Sequence, residues 1–423
     1  MLIEFGVGNY RSFKDTVTFS MVAANLTSKN KEMDSSNTFA YKKPIDLVKT
    51  AALYGPNASG KSNFVKALHF MKNFVINSSK ETQVEEDINV DHFKLSTTTE
   101  SKPSYFEMIF VVDDIRYRYG FELDRERVHS EWLYRTKERE TNLFLRNFQN
   151  IEPKGSFPEG KAFVTNTRPN ALYLSVCAQW NGSVSTSILK WFKSLGIVSG
   201  LSDMGYRPYT LQQLEKVDFK EKVLSFIREF DFGISDFDVK HSTLTTDSIP
   251  KDMPEVLQNF LLEKGGKTTT VLTSHKKYDN KNEYVENVMF DLDRHESEGT
   301  QKAFSFSGPL IDVLINGKTL IVDELDARLH PMITQQIVGM FHDANLNPKN
   351  AQLIFITHDT NLLDNSFLRR DQIWFLEKDR YGATGLYSLV EFKVRNDASL
   401  RKNYIAGKYG AIPFLGGIVR LGI

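Results

Sequence analysis

Apolar positions at the start of the chain mark two short strands, Leu2–Val7 and Thr16–Ser20, around the polar turn Gly8-Asn9-Tyr10-Arg11-Ser12. Val48–Tyr54 is an apolar run ending in a glycine-rich loop. Beyond the loop, Phe64, Ala67, Leu68, Met71, Phe74 and Val75 recur at helical spacing. Residues 103–135 alternate, as in Tyr105-Phe106-Glu107-Met108-Ile109-Phe110 and Arg116-Tyr117-Arg118-Tyr119-Gly120-Phe121, which predicts antiparallel strands. Another strand is predicted at Ala171–Val176.

The pattern then changes. Phe219–Phe230 and Pro254–Glu263 read as helices, and Ser274–Glu286 as a charged linker. From about residue 288 the α/β order returns: strand Asn287–Leu292, helix Thr300–Ile315 ended by Gly317, strand Thr319–Val322, a helix from Pro331, and strand Gln352–Thr357. Two parts of one α/β domain, residues 1–180 and 288–423, are thus expected to flank a mainly helical insertion at 181–287. Its length, about 110 residues, is that of an ordinary domain, and it carries no heptads. Gly308-Pro309 should kink or split the helix that contains it.

Composition narrows the classes. The 423 residues carry 53 Lys+Arg against 53 Asp+Glu, so no global charge draws the chain to nucleic acid or an anionic membrane. The single cysteine, Cys177, excludes intrachain disulfides and reads as buried filler. No signal peptide and no membrane-spanning run is visible, so a cytoplasmic protein is expected. Tyr117, Tyr119 and Phe121 read as one face of a half-buried sheet, and Asp291 and Asp293 as solvated strand-end carboxylates.

One segment carries definite chemistry. Gly55-Pro56-Asn57-Ala58-Ser59-Gly60-Lys61-Ser62 fits G-x-x-x-x-G-K-[ST] and lies between an apolar strand and an amphipathic helix, the setting a phosphate-binding loop requires. Its glycines let backbone N–H groups surround phosphates at a positive helix end. Lys61 would reach the outer phosphates, and Ser62 would ligate Mg²⁺. Leu320-Ile321-Val322 delivers Asp323 and Glu324 to a strand end, where Asp323 can hold the metal and Glu324 can polarise a water. His358 ends a further strand; alone it reads as a surface or capping residue, and in this company it can meet the γ-phosphate or the attacking water. Ser297, Gly299 and Thr300, just before a helix, read alone as an ordinary N-cap.

The order of these segments resembles the ABC-type ATPases of the SMC, Rad-fifty and RecF group. More narrowly the chain is similar to compact ATPases of bacterial anti-phage defence and restriction loci, the RloA-like proteins and AriA. The residues carrying the resemblance are Asn9-Tyr10-Arg11-Ser12-Phe13, Tyr54 through Ser62, Glu296-Ser297-Glu298-Gly299-Thr300, Asp323-Glu324-Leu325-Asp326 with Leu329-His330-Pro331, and the tail residues Tyr404 and Gly407-Lys408-Tyr409-Gly410-Ala411-Ile412-Pro413-Phe414. The resemblance implies an ABC-type fold with an N-terminal antiparallel β lobe and a mixed core sheet flanked by helices. It also implies that Arg11, Ser12 and Asn63 lie near the nucleotide, that Asp326 and His358 are the D-loop and switch residues, and that Ser297, Gly299 and Thr300 complete the ATP site of a second, head-to-tail subunit. Gln179 is its candidate for a strand-ending glutamine near the nucleotide and Mg²⁺. The segment Glu-Ser-Glu-Gly-Thr departs from the common transporter signature.

The implied role is an ATP-driven switch in anti-phage defence controlling a separately encoded effector, often a nuclease. About 65 residues follow His358, below the usual domain size, so a full TOPRIM nuclease is not expected among them. The alternatives are a RecF-like DNA-binding repair ATPase and a non-hydrolysing nucleotide-gated scaffold.

Overall fold

The computed structural model describes residues 1–28, 30–81, 83, 85–243, 253–255, 258, 267–396 and 398–413. The chain forms two compact units. One comprises Met1–Leu201, Asp312–Ala327 and Thr334–Ile423; the other comprises Ser202–Ile311 and Arg328–Ile333. No helix among the described residues is long and apolar enough to cross a membrane.

The larger unit contains two main sheets. The first is antiparallel and seven-stranded, with β1 (Leu2–Gly8), β2 (Val17–Ser20), β6 (Ser104–Val112), β7 (Ile115–Leu123), β8 (Val128–Thr136), β9 (Glu140–Asn147) and β10 (Asn150–Pro153) in the order β10-β9-β8-β7-β6-β1-β2. Its strands alternate because one face is buried: Phe106, Met108, Phe110, Tyr119 and Phe121 enter the core while Tyr105, Glu107 and Arg118 stay on the other face. A small pair is formed by β3 (Thr38–Lys42) and β4 (Ile45–Val48).

The second sheet is made of β5 (Thr50–Tyr54), β11 (Gly196–Ser199), β15 (Thr319–Asp323), β16 (Gln352–Ile356), β17 (Ile373–Lys378) and β18 (Thr384–Ser388), in the order β11-β15-β16-β5-β17-β18. All neighbours are parallel except β17 and β18. Covered on both faces, β5 and β16 are buried at every position, which is why they read as unbroken apolar runs. The helix Lys61–Asn77 contributes Phe64, Leu68, Met71 and Val75 to one core shared by both sheets. The fold is α/β, a mixed sheet flanked by helices with an antiparallel β lobe.

Several expectations change. Ala171–Val176 is not a strand: Tyr173–Gln179 is a helix. A short, largely apolar run suits either state. Here Glu131, from β8, accepts hydrogen bonds from the backbone N–H groups of Tyr173 (2.7 Å) and Leu174 (3.0 Å) and so fixes a helix start. Second, Gly196–Ser199 pairs with β15, which extends the core unit to Leu201.

Third, the expected helical insertion also carries a sheet among the described residues. Helices Arg207–Gln213 and Val217–Arg228 precede a three-stranded antiparallel sheet of β12 (Ile234–Thr243), β13 (Lys267–Tyr278) and β14 (Tyr284–Asp291). The expected linker Ser274–Glu286 is the hairpin joining β13 to β14. Its polarity reflects exposure along β14, and Asp279 closes the turn by accepting from the N–H groups of Lys281 and Glu283. The helix expected at Pro254–Glu263 lies for the most part outside the described residues.

The helix Glu298–Asn316 runs unbroken through Pro309. Proline removes the N–H that would bond the carbonyl of Ser305, and the Thr210 hydroxyl donates to that carbonyl instead (2.5 Å). A Cβ on Gly308 would collide with Thr210, so Gly308-Pro309 is the seat for that threonine. Gly317, at φ +63°, ends the helix as expected.

Candidate functional site

Strand β5 ends at Tyr54, the loop Gly55–Gly60 turns, and the helix starts at Lys61. Two glycines have steric reasons. A Cβ on Gly55 would lie 2.3 Å from the carbonyl oxygen of Leu376. Gly60 adopts φ +107°, and a Cβ there would lie 2.3 Å from the Thr384 hydroxyl and 2.9 Å from that of Ser12. Ala58 also takes a left-handed conformation, at φ +63°. No side chain caps the helix start, which leaves its first N–H groups facing the loop.

The Lys61 ammonium is buried and donates to the carbonyls of Gly55 (2.8 Å) and Pro56 (2.9 Å). Burial lowers its pKa, opposed by the charges of Asp323, Glu324 and Asp326. Those carboxylates belong to the end of β15 and the turn after it. Asp323 accepts a hydrogen bond from Ser62, and its pKa is raised by burial against the pull of Ser62, Lys61, Lys66 and His358. Asp323 Oδ1 is buried without a partner, as is the Ser59 hydroxyl.

Glu324 sits at φ +56°, and the approach of Gly200 to the Glu324 carbonyl is so close that no side chain fits at residue 200. The Leu325 N–H donates to Ile356 O (3.0 Å), joining this turn to the end of β16. There the His358 N–H donates to the Asp326 carboxylate (3.3 Å). His358 is exposed at the surface. Partial burial first, then the Lys61 charge, lowers the imidazole pKa.

The early segment also reaches the loop. The Ser12 hydroxyl accepts from Asn63 Nδ2 (2.8 Å), and the Ser12 carbonyl accepts from Thr384 N (2.7 Å). Thr384 Oγ1 donates to Ser59 O (2.9 Å), so this β18 residue clamps the loop from a position with no local sequence signal. Arg11, at φ +50°, pairs with Asp91 (3.2 Å) and donates to the Tyr10 hydroxyl (3.1 Å).

The structure thus brings Lys61, Ser62, Asn63, Asp323, Glu324, Asp326, His358 and Ser12 to one place. Gln179 does not belong with them on the grounds that suggested it: it is exposed at the end of the helix Tyr173–Gln179, not at a strand end. Cys177, in the same helix, is buried, and burial pushes its thiol far up. Ser297, Gly299 and Thr300 belong to the smaller unit, where the Ser297 hydroxyl accepts from Thr300 N (3.2 Å) and begins the long helix. A Cβ on Gly299 would lie 2.8 Å from Arg328 O, and Arg328 pairs with Glu298 (3.4 Å).

Among solved structures, the chain is similar to the SMC head domain from Thermotoga maritima, at 12% identity and TM-score 0.39, over 92% of this chain and 98% of that one. It is also similar to the recombination mediator RecF with ATP, at 13% identity and TM-score 0.32, over 91% and 97%. Likenesses this distant carry no information on activity. No curated protein matches the sequence significantly. A family model does match, across residues 51–364, which takes in the phosphate loop, Asp323, Glu324 and His358. The chain belongs to the family described as "AAA domain, putative AbiEii toxin, Type IV TA system".

Proposed function

We propose that this protein binds MgATP and hydrolyses it, and that the nucleotide gates pairing of two copies. The observation carrying the reading is the buried, partnerless Asp323 Oδ1 beside Ser62, facing Lys61 at the foot of the phosphate loop. One hydroxyl and one carboxylate suit Mg²⁺, which prefers oxygen ligands and completes its shell with waters and phosphates. Among the described residues no cluster of three or more His, Cys, Asp or Glu side chains could hold a metal alone, so the phosphates would be part of the site. Ser62 and Asp323 would hold the ion, whose chemistry there would be to neutralise charge on the phosphate oxygens.

The protein's own groups do the rest. The loop N–H groups would hold the phosphates, and Lys61 would exchange two neutral carbonyl partners for charged phosphate oxygens, stronger acceptors for its ammonium. Glu324 would orient the attacking water and take its proton, while His358, held through its backbone by Asp326, would contact the γ-phosphate. Ser297, Gly299, Thr300 and Asp326 would serve the head-to-tail contact with a second copy, which ATP would favour and hydrolysis release. In a defence role the gated pair would control a separately encoded effector such as a nuclease, from the cytoplasm.

The test is ATP turnover and size-exclusion mass measurement on the purified chain. Lys61→Ala should abolish binding. Glu324→Gln should retain ATP, lose hydrolysis by about 10²-fold or more, and accumulate as a dimer or larger assembly. Normal turnover in Glu324→Gln would refute the assignment of the base. Salt-dependent DNA binding by the unmodified chain would instead favour a RecF-like activity.

A further inference from the structure

The C-terminal motif Tyr404 with Gly407-Lys408-Tyr409-Gly410-Ala411 has no part in the chemistry above, yet it packs directly behind the phosphate loop. Tyr404 stacks on Phe375 of β17 (5.5 Å, 17°) and meets the ring of Tyr54 edge-on (5.7 Å, 60°). Its hydroxyl donates to Ala411 O (2.9 Å). The Ala411 N–H donates to Glu377 (3.1 Å), and the Tyr387 hydroxyl donates to Tyr409 O (2.9 Å). Gly407, Gly410 and Ala411 all have positive φ, so these bonds hold the segment in a single tight path.

Tyr54 is the last residue before the loop and is fully buried. Its hydroxyl donates to the carbonyl of Asp359 (3.1 Å). The turn carrying His358 is therefore gripped on both sides, its own N–H by Asp326 and the next carbonyl by Tyr54. The ring that aims the Tyr54 hydroxyl rests in turn on Tyr404.

We propose that Tyr54 is a positioning residue for His358 and that the docked Tyr404–Ala411 segment, through its ring contact with Tyr54, sets the rate at which bound ATP is cleaved. This rests on the ATPase reading. The tail then acts on rate alone, so that anything lifting the segment, whether a partner or a truncation, slows hydrolysis without loosening ATP.

Tyr54→Phe removes the hydroxyl and keeps the ring. It should lower kcat for ATP about fivefold or more, as misplacement of a reacting group does, and leave KM and nucleotide affinity within about twofold. Tyr404→Ala should act in the same direction, whereas Tyr404→Phe, which keeps the ring contact, should restore most of the rate. Hydrogen exchange supplies a readout independent of turnover: amides 357–364 should exchange faster in Tyr54→Phe, and those of 320–326 should not. Unchanged kcat and unchanged exchange in Tyr54→Phe overturn the proposal. So does a joint loss of kcat, affinity and thermal stability, which marks a structural role alone. A Tyr404→Ala variant with normal kcat overturns the tail's part. If the unmodified chain fails to hydrolyse ATP, the ATPase reading falls, and exchange still decides whether Tyr54 holds the His358 turn.

Discussion

Asp323→Asn is expected to make the protein more stable without ligand and less stable with it. In the ligand-free fold Asp323 accepts from Ser62 through one oxygen, while the other is buried without a partner. Burial wins over its partners, since the pKa is raised despite Ser62, Lys61, Lys66 and His358. A buried polar atom left unsatisfied costs about 1–3 kcal/mol, and more when it is charged, so the gain from asparagine, whose amide stays unpaired there, is the charged part alone. Asp323 is only partly buried, so the low end, about 1 kcal/mol, applies. Asparagine keeps the shape and removes the charge, so in EDTA the variant should melt higher by ~2 °C.

MgATP should reverse the order. At a hundredfold excess over Kd a ligand adds about 2.7 kcal/mol to the native state, and the variant, lacking the carboxylate proposed to hold the metal, should lose most of that gain. The pH trend follows from the sign of the shift. A carboxyl whose folded pKa exceeds its unfolded value destabilises the fold where it is ionised, and that penalty disappears as pH falls through the folded value. The advantage of Asp323→Asn in EDTA should therefore shrink from about pH 7 towards about pH 4. Thermal melts in EDTA and in MgATP test this directly. A variant that melts lower in EDTA, or keeps the full MgATP shift, would refute the reasoning.

Gly60→Ala should cost about 1–3 kcal/mol, because residue 60 needs φ +107° and its Cβ would strike Thr384; nucleotide binding should fall at least tenfold, measured by calorimetry. Arg146, almost fully buried, donates to the carbonyls of Phe148 and Ala171 (both 2.6 Å) and faces Glu131 (3.5 Å). Arg146→Ala should cost about 3–5 kcal/mol in urea unfolding by stranding a buried carboxylate, and adding Glu131→Gln should recover part of it. His342 is buried against Thr50 (2.9 Å), and burial lowers its pKa to about 3. Because the unfolded chain takes up this proton first, stability should fall by up to about 1.4 kcal/mol per pH unit between about pH 6.5 and 3. His342→Gln should flatten that part of the profile.

What can be read in the sequence is what the chain specifies locally. The strand–loop–helix around Lys61 and the strand ending in Asp323 and Glu324 are each encoded within a few residues, and their apolar runs match strands buried on both faces. The misreadings have distant causes. The helix Tyr173–Gln179 owes its start to Glu131, 42 residues away, so an apolar run suited to either state reads as a strand, and Gln179 goes with it. Thr384 clamps Ser59 across 325 residues, which no motif reports. In the smaller unit, β14 is mostly exposed, so its residues show the polarity of a linker while pairing as a strand.

Several conflicts between local preference and the fold fall at or beside the candidate site. Arg11, Ala58 and Glu324 occupy left-handed backbone, and Gly60 a conformation few other residues could adopt. Asp323 Oδ1 and the Ser59 hydroxyl are buried without partners, and Lys61, a charged donor, is satisfied by neutral carbonyls. Each is a departure that packing elsewhere must sustain. On the proposed function, a phosphate chain with Mg²⁺ would answer them together, supplying charged acceptors to Lys61 and the loop and a cation to Asp323. Interactions made only in the ligated state bias a two-state equilibrium by their full worth, whereas those satisfied in both states bias it by nothing. A site that is poorly satisfied without its ligand is therefore the kind that lets nucleotide act as a switch, and the crossing of melting points in Asp323→Asn measures that difference.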